Sequence, residues 1–167
     1  WLFFVLRRHL RGVWIVKTLV AFLLGGAQGF MGWFMVQSGL VDVPEVSHFR
    51  LAAHLSLAFI LGTYILWLAL DCGWGRSDRT ARHLMGPVLG FGALLAVQVV
   101  YGAFMAGKRA GVLYPSFPDF LGQWFPTQAW EGASVAAVLL ENAHMIHAIH
   151  RWLAWGVVLI GFFVAGW

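Results

Sequence analysis

Imidazoles are the chemistry-bearing groups of this chain, and they cluster. Three of its seven histidines fall at His144, His147 and His150, in a stretch that begins Glu141-Asn142 and closes on Arg151. A spacing of three puts them on one side of a helix, and the run Trp152 to Trp167 is apolar enough to enter a bilayer. Imidazoles carried into hydrocarbon beside a cation are expensive and point to function. Neutral imidazole in a dry bundle is a ligand for iron, copper or zinc. Zinc asks for three or four convergent ligands, and no acidic or thiol partner lies at matching depth. Haem needs only one or two axial histidines, apolar and aromatic walls, and cations for its propionates. Aromatic residues form 16% of the chain, ten of them tryptophans, which suits such walls, although an interfacial aromatic belt uses the same residues.

The elements that must position these groups are membrane helices. Of the 167 residues 60% are hydrophobic and 11% charged, with a mean hydropathy of +0.77, against about 45–50% and about 25% in soluble domains. The pI near 9.8 rests on few basic residues, so nucleic acid is excluded as a partner. The single cysteine, Cys72, rules out an internal disulfide and a thiolate cluster. The expected fold is all-α, a polytopic transmembrane bundle of about four spans plus an N-terminal helix stub. The stub is 1–10, whose apolar WLFFVL stops at Arg7, Arg8 and Arg11. Spans follow at 13–36, 50–71, 84–106 and 143–167, each near the roughly 20 residues a bilayer needs. The first is too long for a signal peptide, whose apolar core is about 7–15 residues. Pro87 falls in a first turn, where its missing N–H costs little. The chain opens on Trp1 and stops within an apolar run, and it reads as a fragment.

Basic residues set the orientation. Arg7, Arg8, Arg11 and Lys17 flank one face, and Arg76, Arg79 and Arg82 fall in the connection 73–83 on that face. Segments 37–49 and 107–142 are then external, with Arg50, Lys108 and Arg109 as their cations. This predicts an integral protein of the bacterial inner membrane, or alternatively the mitochondrial inner membrane. His54 lies seventeen residues before Asp71, and His150 seventeen before Trp167. Both therefore sit roughly 25 Å above the inner boundary of a roughly 30 Å core. The upward helices repeat as well: Gln28-x-x-x-Gly32-x-Phe34-Met35 matches Gln98-x-x-x-Gly102-x-Phe104-Met105. Matched depth and a matched Gln-x-x-x-Gly predict an internal duplication.

His54 and His150 are the candidate metal ligands, each with a neighbouring cation for a propionate, Arg50 one turn before His54 and Arg151 beside His150. His147 and His150 share one side of a helix and cannot hold opposite faces of one iron. Either His54 and His150 share a haem, or each belongs to a site completed by another helix. Glu141 and Asn142 either cap the last span or sit above the metal site. His144 is expected at the interface or in water, and His9, His48 and His83 solvated at membrane edges. In segment 107–142 three prolines and many aromatics argue against disorder and for a lid over the bundle's outer end, with a short interfacial helix in 129–140.

These residues resemble the haem A synthase family, the membrane enzymes of cytochrome oxidase assembly. The similar stretches are Gln28-Gly-x-x-Gly-Trp-x-Met-Val-x-Ser-Gly-Leu40, His48-Phe-Arg-Leu-Ala-Ala-His54, and Gly102-Ala-Phe-Met-Ala-Gly-x-x-Ala-Gly-x-x-Tyr114. Phe117-Pro118, Gly122-Gln-Trp-x-Pro126 and Glu141-Asn142 leading to His150-Arg151 complete the set. The absence of an external cysteine pair matches the mitochondrial and proteobacterial branch. Two departures stand out: Ile146-His147-Ala148 replaces Val-Gln-Phe before the His-Arg pair, so His147 competes with His150, and Pro115 replaces Asn.

The resemblance implies two four-helix bundles related by duplication. Residues 1–72 would be the C-terminal part of the first, 73–83 the inner linker, and 84–167 the N-terminal part of the second. It implies that His54 is an axial ligand where substrate haem O is oxidised, and His150 an axial ligand of haem b. Their partner ligands and the acidic residue of the family's Glu-x-x-His-Arg motif would lie outside this chain, so no catalytic residue is assigned within it and the piece alone is expected to be inactive. The implied reaction oxidises a ring methyl of haem O to the formyl of haem A, for cytochrome c oxidase assembly. Implied partners are an electron donor, haem O synthase or oxidase assembly factors, the lipid bilayer and a second copy in a homo-oligomer. The alternative is a non-catalytic di-haem b-type electron-transfer protein. A transporter or scaffold with packing histidines is the third reading.

Overall fold

The computed structural model describes residues 1–39, 46–73 and 83–166, with the side chains of 38 and 39 left aside. The expected linker cations Arg76, Arg79 and Arg82, residues 40–45 of segment 37–49 and Trp167 lie outside the described residues. Four long helices form: α2 (Val13–Gly39), α3 (His48–Gly73), α4 (Met85–Gly107) and α6 (Ala143–Ala165). A short α1 (Leu2–Leu6) precedes them and a short α5 (Val135–Leu140) lies between α4 and α6. Even the 23-residue helices measure about 34 Å at about 1.5 Å per residue, enough for a bilayer core. All four are long and apolar enough to cross a membrane. Among the described residues the only β feature is an isolated bridge between Phe120 and Gln123.

The helices pack in series, α2 on α3, α3 on α4, and α4 on α6. Their buried core is small and sits toward the end of the bundle that carries the 107–142 connection. Ala52, Ala103, Phe104 and Ile146 meet where α3, α4 and α6 converge, and two further clusters join the loop to α6, Tyr114 and Phe120 with Ala148, and Ala129 and Val138 with Met145. Much of the remaining helix surface is bare hydrocarbon, including Phe30, Phe59, Leu89 and Phe162. Exposing one such side chain to water forgoes about 1.5–3 kcal/mol, and a few would erase a typical stability of about 5–15 kcal/mol. The faces are therefore solvated by lipid and other helices, and the chain is an integral membrane protein.

Two contacts fix the relation of neighbouring helices. Toward one end of the α2/α3 pair Lys17 makes an ion pair with Asp71, its ammonium 4.8 Å and 4.7 Å from the ring centroids of Trp14 and Trp67. Tyr64 donates its hydroxyl hydrogen to the Lys17 carbonyl at 3.0 Å. At the other end Gly107 presses on His48, where an added Cβ would lie 2.7 Å from the histidine Cβ and 2.8 Å from its Cα. This approach corrects one expectation: His48 is buried, not solvated. With α4 so close, its ring is covered and donates to the Leu140 carbonyl at 2.9 Å.

Between α4 and α6 the chain forms a folded cap. A 3-10 turn at Ala110–Val112, another at Thr127–Trp130 and α5 all rest on α6. The interfacial helix expected in 129–140 thus begins at Val135, N-capped by Ser134, whose hydroxyl accepts from the Ala137 amide at 3.1 Å. A tight turn at 120–123 has positive φ at both central residues, Leu121 at 56° and Gly122 at 87°, and the Asp119 carboxylate accepts from the Gly122 amide at 2.9 Å.

Candidate functional site

The two helix pairs present the same side-chain constellation. In α2/α3 the amide nitrogen of Gln28 lies 3.4 Å from Nε2 of His54. In α4/α6 the amide nitrogen of Gln98 lies 3.5 Å from Nε2 of His150 and donates to the His150 carbonyl at 3.1 Å. The glycine one turn after each glutamine faces the same ring. A Cβ at Gly32 would lie 3.3 Å from Cε1 of His54, and one at Gly102 would lie 3.1 Å from Cε1 of His150. Glycine lets each imidazole approach the neighbouring helix closely, which explains why the Gln-x-x-x-Gly pattern accompanies a histidine on the next helix of the pair.

Among the described residues, the buried side-chain atoms without a hydrogen-bond partner are Gln28 Oε1, His54 Nδ1, Gln98 Oε1 and His150 Nδ1. Buried polar groups are nearly always satisfied, so such orphans mark a place prepared for something else. They fall only in these two constellations. Among the described residues no group of three or more His, Cys, Asp or Glu could hold a metal ion. One histidine per helix pair suits a cofactor that brings its own equatorial donors, which is the chemistry of haem rather than of a bare cation.

His147 is placed differently from His150. It is buried, its Nδ1 donates to the Ala110 carbonyl at 2.9 Å, and its Nε2 accepts from Arg151 at 2.8 Å. Both ring nitrogens are engaged. Arg151 also donates to the carbonyls of Asp119 and Tyr114, the latter at 3.2 Å, with its guanidinium 4.1 Å from the Phe120 ring centroid. Its donors thus fasten the cap to α6. Nδ1 of His144, half-buried, shares a hydrogen bond with the Tyr114 hydroxyl at 2.7 Å, and burial raises the Tyr114 phenol above its ordinary pKa.

Of the pair left open by sequence, Asn142 is the N-cap of α6. Its Oδ1 accepts from the amides of His144 at 2.8 Å and Met145 at 3.1 Å, while its Nδ2 donates to the carbonyls of Gln128 and Glu131 at 2.9 Å and 2.7 Å. Glu141 pairs with Lys108 and lies 3.6 Å from Nε2 of His48. The hydrogen bond from Lys108 holds its carboxyl below the ordinary carboxylate pKa, against a smaller opposing effect of burial. Arg50, in the first turn of α3, lies 5.3 Å from the Phe34 ring centroid.

A cavity of about 430 Å³ opens beside His150, lined by Gly102, Met105, Ala106, Arg109, Gly111 and Val112. Arg109 is the cation on this cavity, and sequence reasoning placed it only as a loop charge. It lies two residues past the end of α4, where the left-handed turn and the 3-10 turn at Ala110–Val112 carry it onto the cavity. Its positive φ of 52° is uncommon for a non-glycine residue and tends to cluster at functional sites.

Such a bundle, with one imidazole set against a glycine of the neighbouring helix in each pair and an ordered cap at one end, is that of a polytopic helical membrane protein. The model of the cytochrome oxidase assembly protein family, COX15-CtaA, matches residues 1–167, and the chain belongs to that family. It is similar to proteins named heme A synthase: 41% identical to one from Rhizorhabdus wittichii over 89% of this chain and 44% of that protein. It is 42% identical to one from Rhodospirillum centenum over 80% of this chain and 36% of that protein. One from Maricaulis maris is 36% identical over 99% of this chain and 48% of its own length. The chain thus spans less than half the length of these relatives. No solved structure matches it.

Proposed function

We propose that the chain is part of a haem A synthase, an oxidoreductase that converts haem O to haem A for cytochrome c oxidase by oxidising a ring methyl to a formyl. The observation that carries the reading is the pair of matched Gln–Gly–His constellations with their orphaned ring nitrogens, on a chain whose relatives bear that name. His54 would hold the substrate haem in one half, on residues 1–72, and His150 a haem b in the other, on residues 84–167. Bound haem supplies iron-centred redox chemistry. The protein's own residues bind, orient and exclude water. Arg50, one turn before His54, and Arg109, on the cavity beside His150, would neutralise the haem carboxylates. Arg151, His147, Glu141 and Asn142 serve the site through the cap they anchor. The cap lies over the external end in the inner membrane, and electrons arrive from a separate donor.

The test is product analysis. Cells that make haem O and express the intact protein are expected to yield haem A in solvent extracts, and His54→Ala to leave haem O unconverted. Finding haem O alone from the wild type, unchanged by His54→Ala, overturns the reading.

A further inference from the structure

The cap does not only rest on the end of the bundle. Two of its rings lie along the flank of α6: Phe117 stacks on Trp155 with centroids 5.9 Å apart and planes inclined by 19°, and Trp124 meets Trp152 at 6.3 Å. Trp152 and Trp155 straddle the midpoint of α6 (Ala143–Ala165). A helix of 23 residues is about 34 Å long, and a bilayer core is about 30 Å thick. In any setting that lets α6 cross, the two tryptophans therefore fall inside the core. The rings stacked on them fall there too.

The stretch is built for hydrocarbon. Residues 114–126 hold five aromatic residues, three prolines and a single charged residue, Asp119. Phe117 and Trp124 are each 68% exposed, and their surface continues the bare face of α6 at Leu159 and Phe162. Irregular backbone inside a membrane must find its hydrogen bonds within the protein, and here it is turned inward. Arg151 binds the carbonyls of Tyr114, Pro118 and Asp119. The amides of Leu121 and Gly122 donate to the Ser116 hydroxyl at 2.7 Å and the Asp119 carboxylate at 2.9 Å. Phe120 and Gln123 bond each other, and the three prolines have no N–H to satisfy. The rest of the cap differs in kind: 127–142 carries Glu131 and Glu141, the latter paired with Lys108.

We propose that the cap is re-entrant, with its Phe117/Trp124 face embedded beside α6 in the hydrocarbon of the leaflet on that side, and that the partner of this face is lipid. From Phe117 the chain climbs to Asp119, whose carbonyl meets Arg151 one turn above Trp155. It turns at Leu121–Gly122 on the water side and comes back to Trp124. The backbone faces α6, the two rings face acyl chains, and Glu131 and Glu141 stay in water. The lid is thus anchored in the membrane along its rim. This holds whatever the bundle binds.

The test uses the intact protein in phosphatidylcholine liposomes, spin-labelled at single cysteines on a Cys72→Ser background. Collision of each label with oxygen, which concentrates in hydrocarbon, is compared with collision with a nickel chelate, which stays in water. Labels at Phe117→Cys and Trp124→Cys are expected to favour oxygen several-fold, as does Leu159→Cys on the bare face of α6, whereas Glu131→Cys favours the chelate. A second arm needs no substitution. A phosphatidylcholine with a diazirine in its acyl chain is expected to crosslink the wild-type protein at Phe117 and Trp124 and not at Glu131. Chelate-dominated collision at both positions puts this face in water and overturns the proposal. Labels sheltered from both reagents, without a lipid crosslink, show that another protein segment covers the rings and overturn it equally.

Discussion

His147 and His150 differ in what surrounds them more than in where they stand. With both ring nitrogens of His147 bonded to Ala110 and Arg151, His147→Ala would leave a buried carbonyl and a guanidinium N–H short of partners, a loss of about 1–3 kcal/mol for each group left unsatisfied. The variant is expected to unfold at lower temperature yet keep a wild-type Soret spectrum per folded molecule. His150→Ala is expected to show the opposite, near-native unfolding of the cap and loss of one haem; differential absorbance during thermal melts reads both. Glu141 adds a pH dependence. Its folded carboxyl is depressed by Lys108, with His48 also near, so its contribution is complete above the unfolded pKa and is lost as pH falls through the lower folded value. Being half-exposed, it contributes only about 0.2–1 kcal/mol, and Glu141→Gln is expected to remove that acid-side slope in a melting series. At this scale the sequence disclosed the ligand candidates, since histidine spacing and depth are visible in one dimension. It did not disclose which imidazole is spent on structure, because the Ala110 carbonyl reaches His147 only after the chain has doubled back across 37 residues.

Among the elements, the spans were legible to within a residue or two, because twenty-odd apolar residues between polar ends admit little else. Their packing was less so. The α3/α4 approach at Gly107 follows from a small residue meeting the first turn of the preceding helix, and nothing in hydropathy marks Gly107 above Gly90. The structure separates them. An alanine at 107 would put its Cβ within 3 Å of His48, whereas at Gly90 nothing lies within 4 Å. Gly107→Ala is therefore expected to destabilise by about 1–3 kcal/mol through overpacking. Gly90→Ala is expected to be neutral or to stabilise by up to about 1 kcal/mol from helix propensity. Denaturant titrations in detergent measure the pair side by side. Equal effects at the two positions would mean that the close approach of α3 and α4 carries no weight.

For the whole molecule, burial is concentrated at one end, where the cap, α4 and α6 meet, and the rest is hydrocarbon surface shared with lipid and other helices. The sequence announced an ordered cap through its prolines and aromatics, but its fastening to Arg151 is a long-range matter of carbonyls, which every residue has and no residue type reveals. Topology is open to direct measurement. Leu121 stands exposed at the tip of the cap, and a Leu121→Cys variant on a Cys72→Ser background is expected to react with a membrane-impermeant maleimide from the periplasmic side of intact cells. Labelling only after the membrane is opened would reverse the assigned orientation.

Arg151 is the residue after His150, and its guanidinium is bound to the backbone of the cap. One peptide bond therefore joins the imidazole that lines the cavity to the latch that holds the cap. Any turn of α6 that re-aims the ring strains the latch, and any opening of the cap tugs on the ring. If occupancy of the ring and closure of the cap are coupled in this way, linkage makes the coupling reciprocal. Haem binding at His150 is then expected to raise the cap's resistance to protease, and equal cleavage with and without haem would show that ring and latch are uncoupled.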